Sequence, residues 1–483
     1  MQSIAADYKP VVRCEGSPGA GKPAWNCELP MDDPLPGKDV RGQVLTPTES
    51  MCDDSLQSIA YELRNSRGLV GAIGLTERLD MRFTTTFRAI AAAAAIGLAA
   101  TGCSADDAGD SDTITIGASL PLTGEFSQGG LDTQRGYETW VEMTNEAGGL
   151  LGKQVEIVIK DDATQQETAV SNYNNLISQD KVNLLLGSQS SLLNIPASAI
   201  AEKNQKLFVC PSCGSPDMFN RGFKYIFFSQ QAIATDQAKV FATWIAALPP
   251  EQRPKTAAYP TLDDPFAGPV VEGAEQILSA AGIQTVYKDK YPATTKNFDA
   301  VVNAMRDAGA EIVVQGAQFE DGVNMIRSMN RANYQPAILY QSSSPTYGEQ
   351  YLDAVGADNA EGVFFSSSYS PLSDTSQNKE FVERFEEKFG QSPPEDAADG
   401  FAAGQVLAAA VDAVGSIDDQ AALADWLRSN SVDTLLGTLS WNEDGSPKGD
   451  FLVGQWQGGV SQVVLPTDVA TSDQIMRWRG GAI

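Results

Sequence analysis

After residue 112 the chain alternates between short apolar runs and longer segments with apolar residues every three or four positions. The short runs predict buried strands and the longer segments predict amphipathic helices. The predicted strands are Thr113–Gly117, Val155–Ile159, Asn183–Leu186, Lys206–Val209, Thr256–Tyr259, Gln284–Tyr287, Ile312–Val314, Ala337–Tyr340 and Gly362–Phe365. The predicted helices are Asp132–Glu146, Gln165–Ser178, Ile195–Lys203, Ala238–Leu248, Val270–Ala281, Asp299–Ala308, Val323–Asn333, Glu380–Phe389 and Gly400–Val414. This alternation predicts an α/β protein with two largely parallel sheets, helices on both faces and a cleft between its halves.

A different pattern precedes the alternation, in residues 81–112. Two arginines are followed by the apolar run Ala89–Ala100, and small residues then lead to Cys103. This order is typical of a secretory signal peptide, and the run is shorter than the roughly 20 residues that span a bilayer. The ending resembles a bacterial lipoprotein lipobox, with Ala100 where that motif usually has Leu. It implies that residues 81–102 are removed and that Cys103 carries a lipid; a buried alanine-rich helix is the alternative.

Export from Met81 would leave residues 1–80 outside the working protein. Their many prolines and weak apolar periodicity predict an unstructured upstream extension, or a start codon assigned too early. The segment GSPGAGK at 16–22 resembles a phosphate-binding loop, but Pro23 stands where that loop needs a hydroxyl, and residues 10–15 suit a strand poorly. We therefore expect no nucleotide site there. Residues 103–112 are polar and predict a flexible tether.

Charge and histidine content exclude several functions. The chain has 34 basic and 62 acidic residues, a formal net charge of −28 at pH 7, and no histidine. The acidic excess repels phosphates, so no nucleic-acid partner is expected. Without histidine, the usual activation of a serine or cysteine nucleophile and most imidazole metal sites are lost. The sequence thus predicts a protein that is not an enzyme and holds no metal or cofactor.

The last two cysteines form the motif Cys-Pro-Ser-Cys, at Cys210 and Cys213. No second pair follows that could complete a four-cysteine zinc site. In an exported protein this pair predicts a local disulfide, because thiols outside the cytoplasm tend to be oxidised. An extracytoplasmic thiol oxidoreductase is the alternative, and it would need one cysteine with a lowered pKa.

Four segments of the chain carry a family resemblance: ITIGASLPLTGEFSQGG, LLGKQVEIVIKDDA, GSQSSLLNIPAS and SVDTLLGTLSWNEDGSPKGDF. They resemble the type I periplasmic solute-binding proteins, in particular those of branched-chain amino acid ABC transporters. The resemblance runs from about Thr113 to about Gln457 and implies two doubly wound, Rossmann-like lobes joined by three crossovers. The implied first lobe comprises 113–232 and 366–450, and the second comprises 233–365 and 451–483.

The resemblance also implies a function. It implies a monomeric receptor, anchored by lipid to the outer face of the bacterial cell membrane, that closes on a small molecule and delivers it to an ABC permease. A ligand sensor of the same fold that signals to a membrane partner is an alternative, and the sequence alone separates the two poorly.

In the family, a serine in the loop before a helix holds the ligand carboxylate. This position falls on Ser191, with Ser190 beside it. A helix N-terminus favours an anion, although both serines could simply cap the helix. The next family contacts fall on Ser212 and Gly214, and Gly214 replaces a threonine whose hydroxyl usually bonds the ligand.

The opposite end of the implied site departs from the amino acid binders. The acid that pairs with the ligand ammonium falls on Ser342, and its accompanying tyrosine falls on Gln318. Two more family tyrosines align with Gln128 and Phe266, and Phe126 lies nearby. We therefore expect a site with an anion end and a neutral, aromatic end, suited to a carboxylate that carries an uncharged group, or to an amide. An α-amino acid would need a countercharge from another acid; the candidates are Glu320, Asp321, Asp263 and Asp264.

Overall fold

The computed structural model describes residues 13–16, 25–28 and 113–483. Strands β1 (Arg13–Gly16) and β2 (Trp25–Glu28) pair antiparallel, so the prediction that residues 10–15 suit a strand poorly is wrong for residues 13–15. The predicted signal peptide and tether, with the lipid-anchor candidate Cys103, lie outside the described residues, as does the rest of the upstream extension.

The remaining elements follow the alternation that the sequence predicts. The strands are β3 (Thr113–Leu120), β4 (Gln154–Asp161), β5 (Leu184–Leu186), β6 (Phe208–Cys210), β7 (Ile226–Phe228), β8 (Thr256–Leu262), β9 (Gln284–Tyr291), β10 (Ile312–Gln315), β11 (Ile338–Gln341), β12 (Phe364–Ser367), β13 (Ser431–Thr434), β14 (Gly437–Ser440), β15 (Leu452–Gln457) and β16 (Val460–Leu465). The helices are α1 (Ser127–Glu146), α2 (Gln166–Ser178), α3 (Ser191–Lys203), α4 (Ala234–Gln237), α5 (Lys239–Ala247), α6 (Ala267–Ala280), α7 (Asp299–Asp307), α8 (Phe319–Arg331), α9 (Glu349–Val355), α10 (Ala357–Ala360), α11 (Asn378–Phe389), α12 (Glu395–Val414) and α13 (Gln420–Ser429).

Two sheets organise these elements into two lobes. The first sheet has the order β4-β3-β5-β6-β7 and is parallel throughout. The second has the order β16-β15-β12-β11-β10-β8-β9, in which β15 and β16 run antiparallel to their neighbours. The chain passes between the lobes after β7, β12 and β14, because α12 packs on α1 of the first lobe before β15 joins the second sheet. The predicted α/β fold of two doubly wound lobes is confirmed.

The strand order tells where a ligand can bind. In the first sheet the order reverses direction between β3 and β5, and in the second it does so between β8 and β10. In open α/β sheets, ligands bind outside the carboxyl ends of the strands at such reversals, because the flanking helices leave a crevice there. The loops after these strands are therefore the places to look for a site.

Helix α12 is a core element of the first lobe. It is long and apolar enough to cross a membrane by length and composition, yet most of it is buried inside the protein against α1. Glycines allow the two helices to approach closely. A Cβ at Gly136 would lie 2.0 Å from the backbone oxygen of Ala397, and a Cβ at Gly404 would lie 2.2 Å from the ring of Trp140. The close contact between the two helices thus requires glycine, which has no Cβ atom, at these two positions.

The structure extends two predicted helices toward the carboxyl ends of the first sheet. Helix α1 begins at Ser127 rather than at Asp132, and α12 begins at Glu395 rather than at Gly400. The added first turns are polar, so apolar periodicity could not reveal them. In α12 the added turn brings three acidic residues into the helix, and these form part of the site described below.

We predict that Gly136→Ala lowers the free energy of unfolding by about 1–3 kcal/mol, because the new methyl group meets a backbone carbonyl that cannot rotate away. Urea denaturation measures the loss. Gly268→Ala in α6 is the matched control, since a Cβ there meets no atom within 4 Å, and helix propensity should make that change neutral or stabilising by up to about 1 kcal/mol. Equal stability of both variants would show that α1 and α12 are not tightly packed.

Candidate functional site

Two neighbouring cavities open where the carboxyl ends of strands from both sheets face each other. The inner cavity has a volume of about 30 Å³ and is lined by Gln189, Ser212, Gly214, Phe228, Gln230, Gln237, Phe266, Gln318, Ser343, Thr346, Tyr347, Glu395, Asp396 and Asp399. The outer cavity has a volume of about 380 Å³ and is lined by Gly124, Glu125, Phe126, Ser127, Gln128, Gly129, Lys296, Gln318, Phe319, Glu320 and Tyr347. Both lobes contribute to each cavity, and Gln318 and Tyr347 line both, so together they form the cleft.

Three carboxylates from the start of α12 line the inner cavity: Glu395, Asp396 and Asp399, which we call the carboxylate cluster. Their spacing along the helix brings Glu395 and Asp399 onto one face, with Asp396 beside them. Asp399 is buried, while Glu395 and Asp396 keep some accessible surface. The inner cavity is therefore acidic on the side of the first lobe.

The hydrogen-bond donors to the carboxylate cluster are neutral groups. Ser368 and Gln230 donate to Asp399 at 2.6 and 2.5 Å, and the hydroxyl of Ser367 donates to Glu395. The hydroxyl of Tyr347 and the amide of Gln189 hydrogen-bond to Asp396.

No lysine or arginine among residues 113–483 forms an ion pair with any member of the cluster. The one basic partner nearby belongs to a different acid, since Arg135 pairs with the buried Asp132 at 2.8 Å. Neutral donors satisfy the oxygen atoms but do not balance their charge, and an uncompensated charge in a desolvated site is costly.

The cluster responds by holding protons. Burial raises the pKa of Asp396 to about 8, and the neighbouring charges of Asp132 and Glu395 add to the effect. Burial likewise raises the pKa of Glu395 to about 7, and that of Asp399 well above its usual value with the charge of Glu395 contributing. Near neutral pH the cluster is thus only partly ionised.

Two amide oxygens in the inner cavity have no hydrogen-bond donor. Gln189 is 3% exposed and Gln237 is 5% exposed, and the Oε1 atom of each is unpartnered. Their orientations are set by the opposite ends of the amides, because Gln189 donates to Asp396 and Gln237 donates to the carbonyl of Ser342 at 3.2 Å. Buried polar atoms are normally paired. The cavity therefore presents two neutral acceptors without donors, beside carboxylates that have neutral donors but no countercharge.

Six of the residues singled out in the sequence line the cleft. Ser212, Gly214 and Phe266 line the inner cavity, Phe126 and Gln128 line the outer one, and Gln318 lines both. They come from the loops after four strands, namely β3, β6, β8 and β10, which the strand order brings together.

The other three do not line either cavity, and the hydroxyl oxygen of each accepts a hydrogen bond from a backbone N–H. Ser190 caps α3 by accepting from the backbone of Leu192 at 3.1 Å, and Ser191 accepts from the backbone of Ser215 at 3.1 Å. Ser342 exchanges two 2.8 Å hydrogen bonds with the backbone of Ala317. In this arrangement the three serines hold loops around the cleft.

The acids considered as substitutes for an ammonium partner serve mainly as helix caps. Asp264 accepts from the backbone of Ala267 at 2.6 Å at the start of α6, and Asp321 accepts from the backbone of Gln318 at 2.9 Å in α8. Asp263 is exposed and pairs with Lys290, while Glu320 lines the outer cavity.

The expectation of an anion end opposite a neutral end stays a prediction, but it did not include the carboxylate cluster that lines the inner cavity. Sequence reasoning overlooked the cluster, having started the helix at Gly400. A signal was present: the sequence EDAAD at 395–399 follows two prolines and precedes a helical pattern, which is typical of an acidic first turn.

The two cysteines of the Cys-Pro-Ser-Cys motif are close together and buried. Cys210 and Cys213 have their Sγ atoms at bonding distance and their Cα atoms 6.0 Å apart, and neither is exposed. A redox partner could not reach them without rearrangement of β6.

Among the described residues no group of three or more acids or cysteines is arranged to hold a metal ion.

Residues 113–460 match the family model of the periplasmic binding proteins. Leu/Ile/Val-binding protein homolog 3 of Brucella melitensis is 28% identical over 354 residues, which cover 72% of this chain and 92% of the relative. The leucine-, isoleucine-, valine-, threonine- and alanine-binding protein of Pseudomonas aeruginosa is 27% identical, with coverage of 71% and 90%.

Solved structures show the same fold. An ABC-transporter solute-binding protein from R. palustris, crystallised with benzoate, is 20% identical with a TM-score of 0.66, and the match covers 77% of this chain and 97% of the other. A leucine binding protein from Thermotoga maritima is also 20% identical with a TM-score of 0.66, covering 74% of this chain and all of that one.

We predict that the unliganded protein loses stability as pH rises from 5 to 8. The folded cluster holds protons that the unfolded chain releases near its ordinary pKa of about 4, so the stabilisation present at low pH is lost as pH passes about 7 to 8. Asp321, with a pKa raised to about 7 mainly by burial, acts in the same direction. Urea denaturation at several pH values should show a fall of at least about 2 kcal/mol.

The variant Asp396→Asn should flatten this dependence, because it removes one of the titrating groups. Asp412→Asn removes the same charge from an exposed position on the same helix, and it should keep the slope of the unmodified protein. A stability that is constant or rises between pH 5 and 8 would contradict the ionisation described for the cluster.

Proposed function

The chain belongs to the periplasmic binding protein family, and on that premise we propose that it is the solute-binding receptor of an ABC importer. It binds a small molecule in the cleft between its lobes and delivers it to a membrane permease. The family match extends from residue 113 to residue 460, so it covers every strand of both sheets except most of β16. The names of the relatives refer to amino acid binding, and one structural relative was crystallised with benzoate.

The single observation that carries the proposal is the position of the cleft. The loops after β3, β5, β6, β8 and β10 all reach the two cavities, so residues from both lobes face one another across a common space. A binding site shared by two lobes is completed only when the lobes come together. This is the arrangement that a capture-and-release receptor needs.

Contacts across the cleft indicate how closure is stabilised. Lys296 of the second lobe pairs with Glu125 of the first at 2.9 Å, and Gln350 donates to Asp132 at 3.3 Å. The Lys296–Glu125 pair is exposed and therefore weak, since such an ion pair contributes about 0–1 kcal/mol, whereas the Gln350–Asp132 hydrogen bond ends on a buried carboxylate. A ligand bound to residues of both lobes would add the larger share of the closing free energy.

The proposal extends to the location of the protein. We infer export by the segment 81–102 and lipid attachment at Cys103, which would place the receptor beside its permease on the outer face of the membrane. Residues 103–112 would then link the lipid to the first lobe.

We predict that a ligand found by thermal-shift screening also makes the protein more compact. The screen covers amino acids, amines, carboxylates and amides, and a ligand at one hundred times its dissociation constant should add about 2.7 kcal/mol to the free energy of unfolding. Small-angle X-ray scattering should then show a smaller radius of gyration and a monomeric mass. A ligand that stabilises the protein without changing its dimensions would contradict capture by lobe closure.

We predict that Cys103→Ser releases the protein from the membrane fraction of a bacterial host. The unmodified protein should incorporate an alkyne-labelled fatty acid and begin at residue 103 by mass spectrometry, whereas the variant should do neither. Cys52→Ser is the control, because that cysteine precedes the proposed signal and its loss should change nothing. Fatty-acid labelling of the Cys103→Ser variant would refute the anchor.

A further inference from the structure

We propose that the ligand is a small organic cation with several N–H donors, such as a primary diamine or a guanidino amine, held by the carboxylate cluster together with Gln189 and Gln237. This inference rests on the proposed function and names the class of solute that the cleft accepts. It differs from the amino acids and the benzoate that appear in the names of the relatives.

The first argument is charge. Glu395, Asp396 and Asp399 line the inner cavity and receive hydrogen bonds from neutral donors, and no lysine or arginine among residues 113–483 forms an ion pair with them. A monoanion such as benzoate would add a further negative charge to this place. A cation would supply the missing countercharge and let the carboxylates ionise.

The second argument is independent of charge and concerns hydrogen bonding. The Oε1 atoms of Gln189 and Gln237 are unpartnered, nearly fully buried, and belong to residues that line the same cavity from opposite lobes. Amide oxygens accept hydrogen bonds only, so their partner must donate. An ammonium group brings three donors and a guanidinium five, whereas a quaternary ammonium has none.

The helix dipole, a metal ion and bound water each account for less of the cluster than a cation does. Acidic residues in a first helical turn favour the helix dipole, which would explain Glu395 and Asp396 but not the burial of Asp399 one turn later. A metal ion would require three converging ligands, and among the described residues no such group exists. Water could satisfy the two amide oxygens, but it would not compensate the charge of three acids.

The sizes of the two cavities indicate which part of the ligand each one holds. The inner cavity is small, at about 30 Å³, so it suits the charged head of a ligand rather than its whole length. The outer cavity, at about 380 Å³, continues past Gln318 and Tyr347 and is lined by Glu320 and by Glu125, of which Glu125 is already paired with Lys296 at 2.9 Å. A chain a few carbons long with a second cationic group would thus meet acids at both ends.

Isothermal titration calorimetry of the purified protein at pH 8 tests the inference with five probes: putrescine, agmatine, tetramethylammonium, leucine and benzoate. We expect putrescine or agmatine to bind at least ten-fold more tightly than leucine and benzoate. Tetramethylammonium should also bind at least ten-fold more weakly than either amine, because it carries charge without N–H donors. Binding of the amine should weaken at pH 6, where the cluster holds more protons.

Variants tie binding to the cluster. Asp396→Asn and Glu395→Gln should each weaken amine binding at least ten-fold, with circular dichroism checking that the fold is retained. Asp412→Asn, on the exposed face of the same helix, should leave the affinity unchanged. Equal affinities for all three variants would overturn the assignment of the cluster as the cation site.

The outcomes separate this inference from the function on which it rests. Tight binding of leucine or benzoate without binding of either amine would overturn the inference and leave the receptor function standing. Equal binding of tetramethylammonium and the amines would overturn the role of Gln189 and Gln237 as acceptors. Failure of all five probes would overturn the inference, while the receptor function would still be judged separately by the broad ligand screen and by scattering.

Discussion

The close contact between α1 and α12 is the constraint on which the rest of the structure depends. Gly136 and Gly404 let the two helices approach until side chain meets backbone, which fixes α12 in the core of the first lobe. Because the helix is held along its length, its first turn can project into the cleft without being free to swing away. The position of the carboxylate cluster is therefore set by packing that begins within its own turn, at Ala397, and continues along the helix.

Fold and chemistry come from different parts of the chain. The two parallel sheets and their strand orders bring the loops of both lobes to one cleft, and any sequence with this topology would do the same. What the cleft can bind depends on a few side chains at the ends of the elements. Here Ser190, Ser191 and Ser342 hold the loops by internal hydrogen bonds. The charged side chains that line the inner cavity all come from α12.

Much of the fold could be predicted from the sequence, because buried strands and amphipathic helices leave strong periodic patterns. The first turns of α1 and α12 could not, since their residues are polar and carry no apolar period. The hairpin of β15 and β16 was not predicted, although each strand has six residues and the Gly458-Gly459 connection is a hairpin signal. The site was only partly predictable: Phe266 and Gln318 line the cleft, but the cluster required knowledge of which helix end meets the cavity.

Mutual repulsion within the carboxylate cluster affects whether the lobes close when no solute is bound. An empty receptor that closes brings Tyr347 and Gln318 of the second lobe over acids that no basic residue pairs with, so these acids must take up protons and closure without solute becomes less favourable as pH rises. In a receptor of the kind proposed, only the loaded form would then present joined lobes to the membrane partner. The burial of these acids would thus reduce binding of the empty receptor to the importer, and with it ATP hydrolysis that transports no solute.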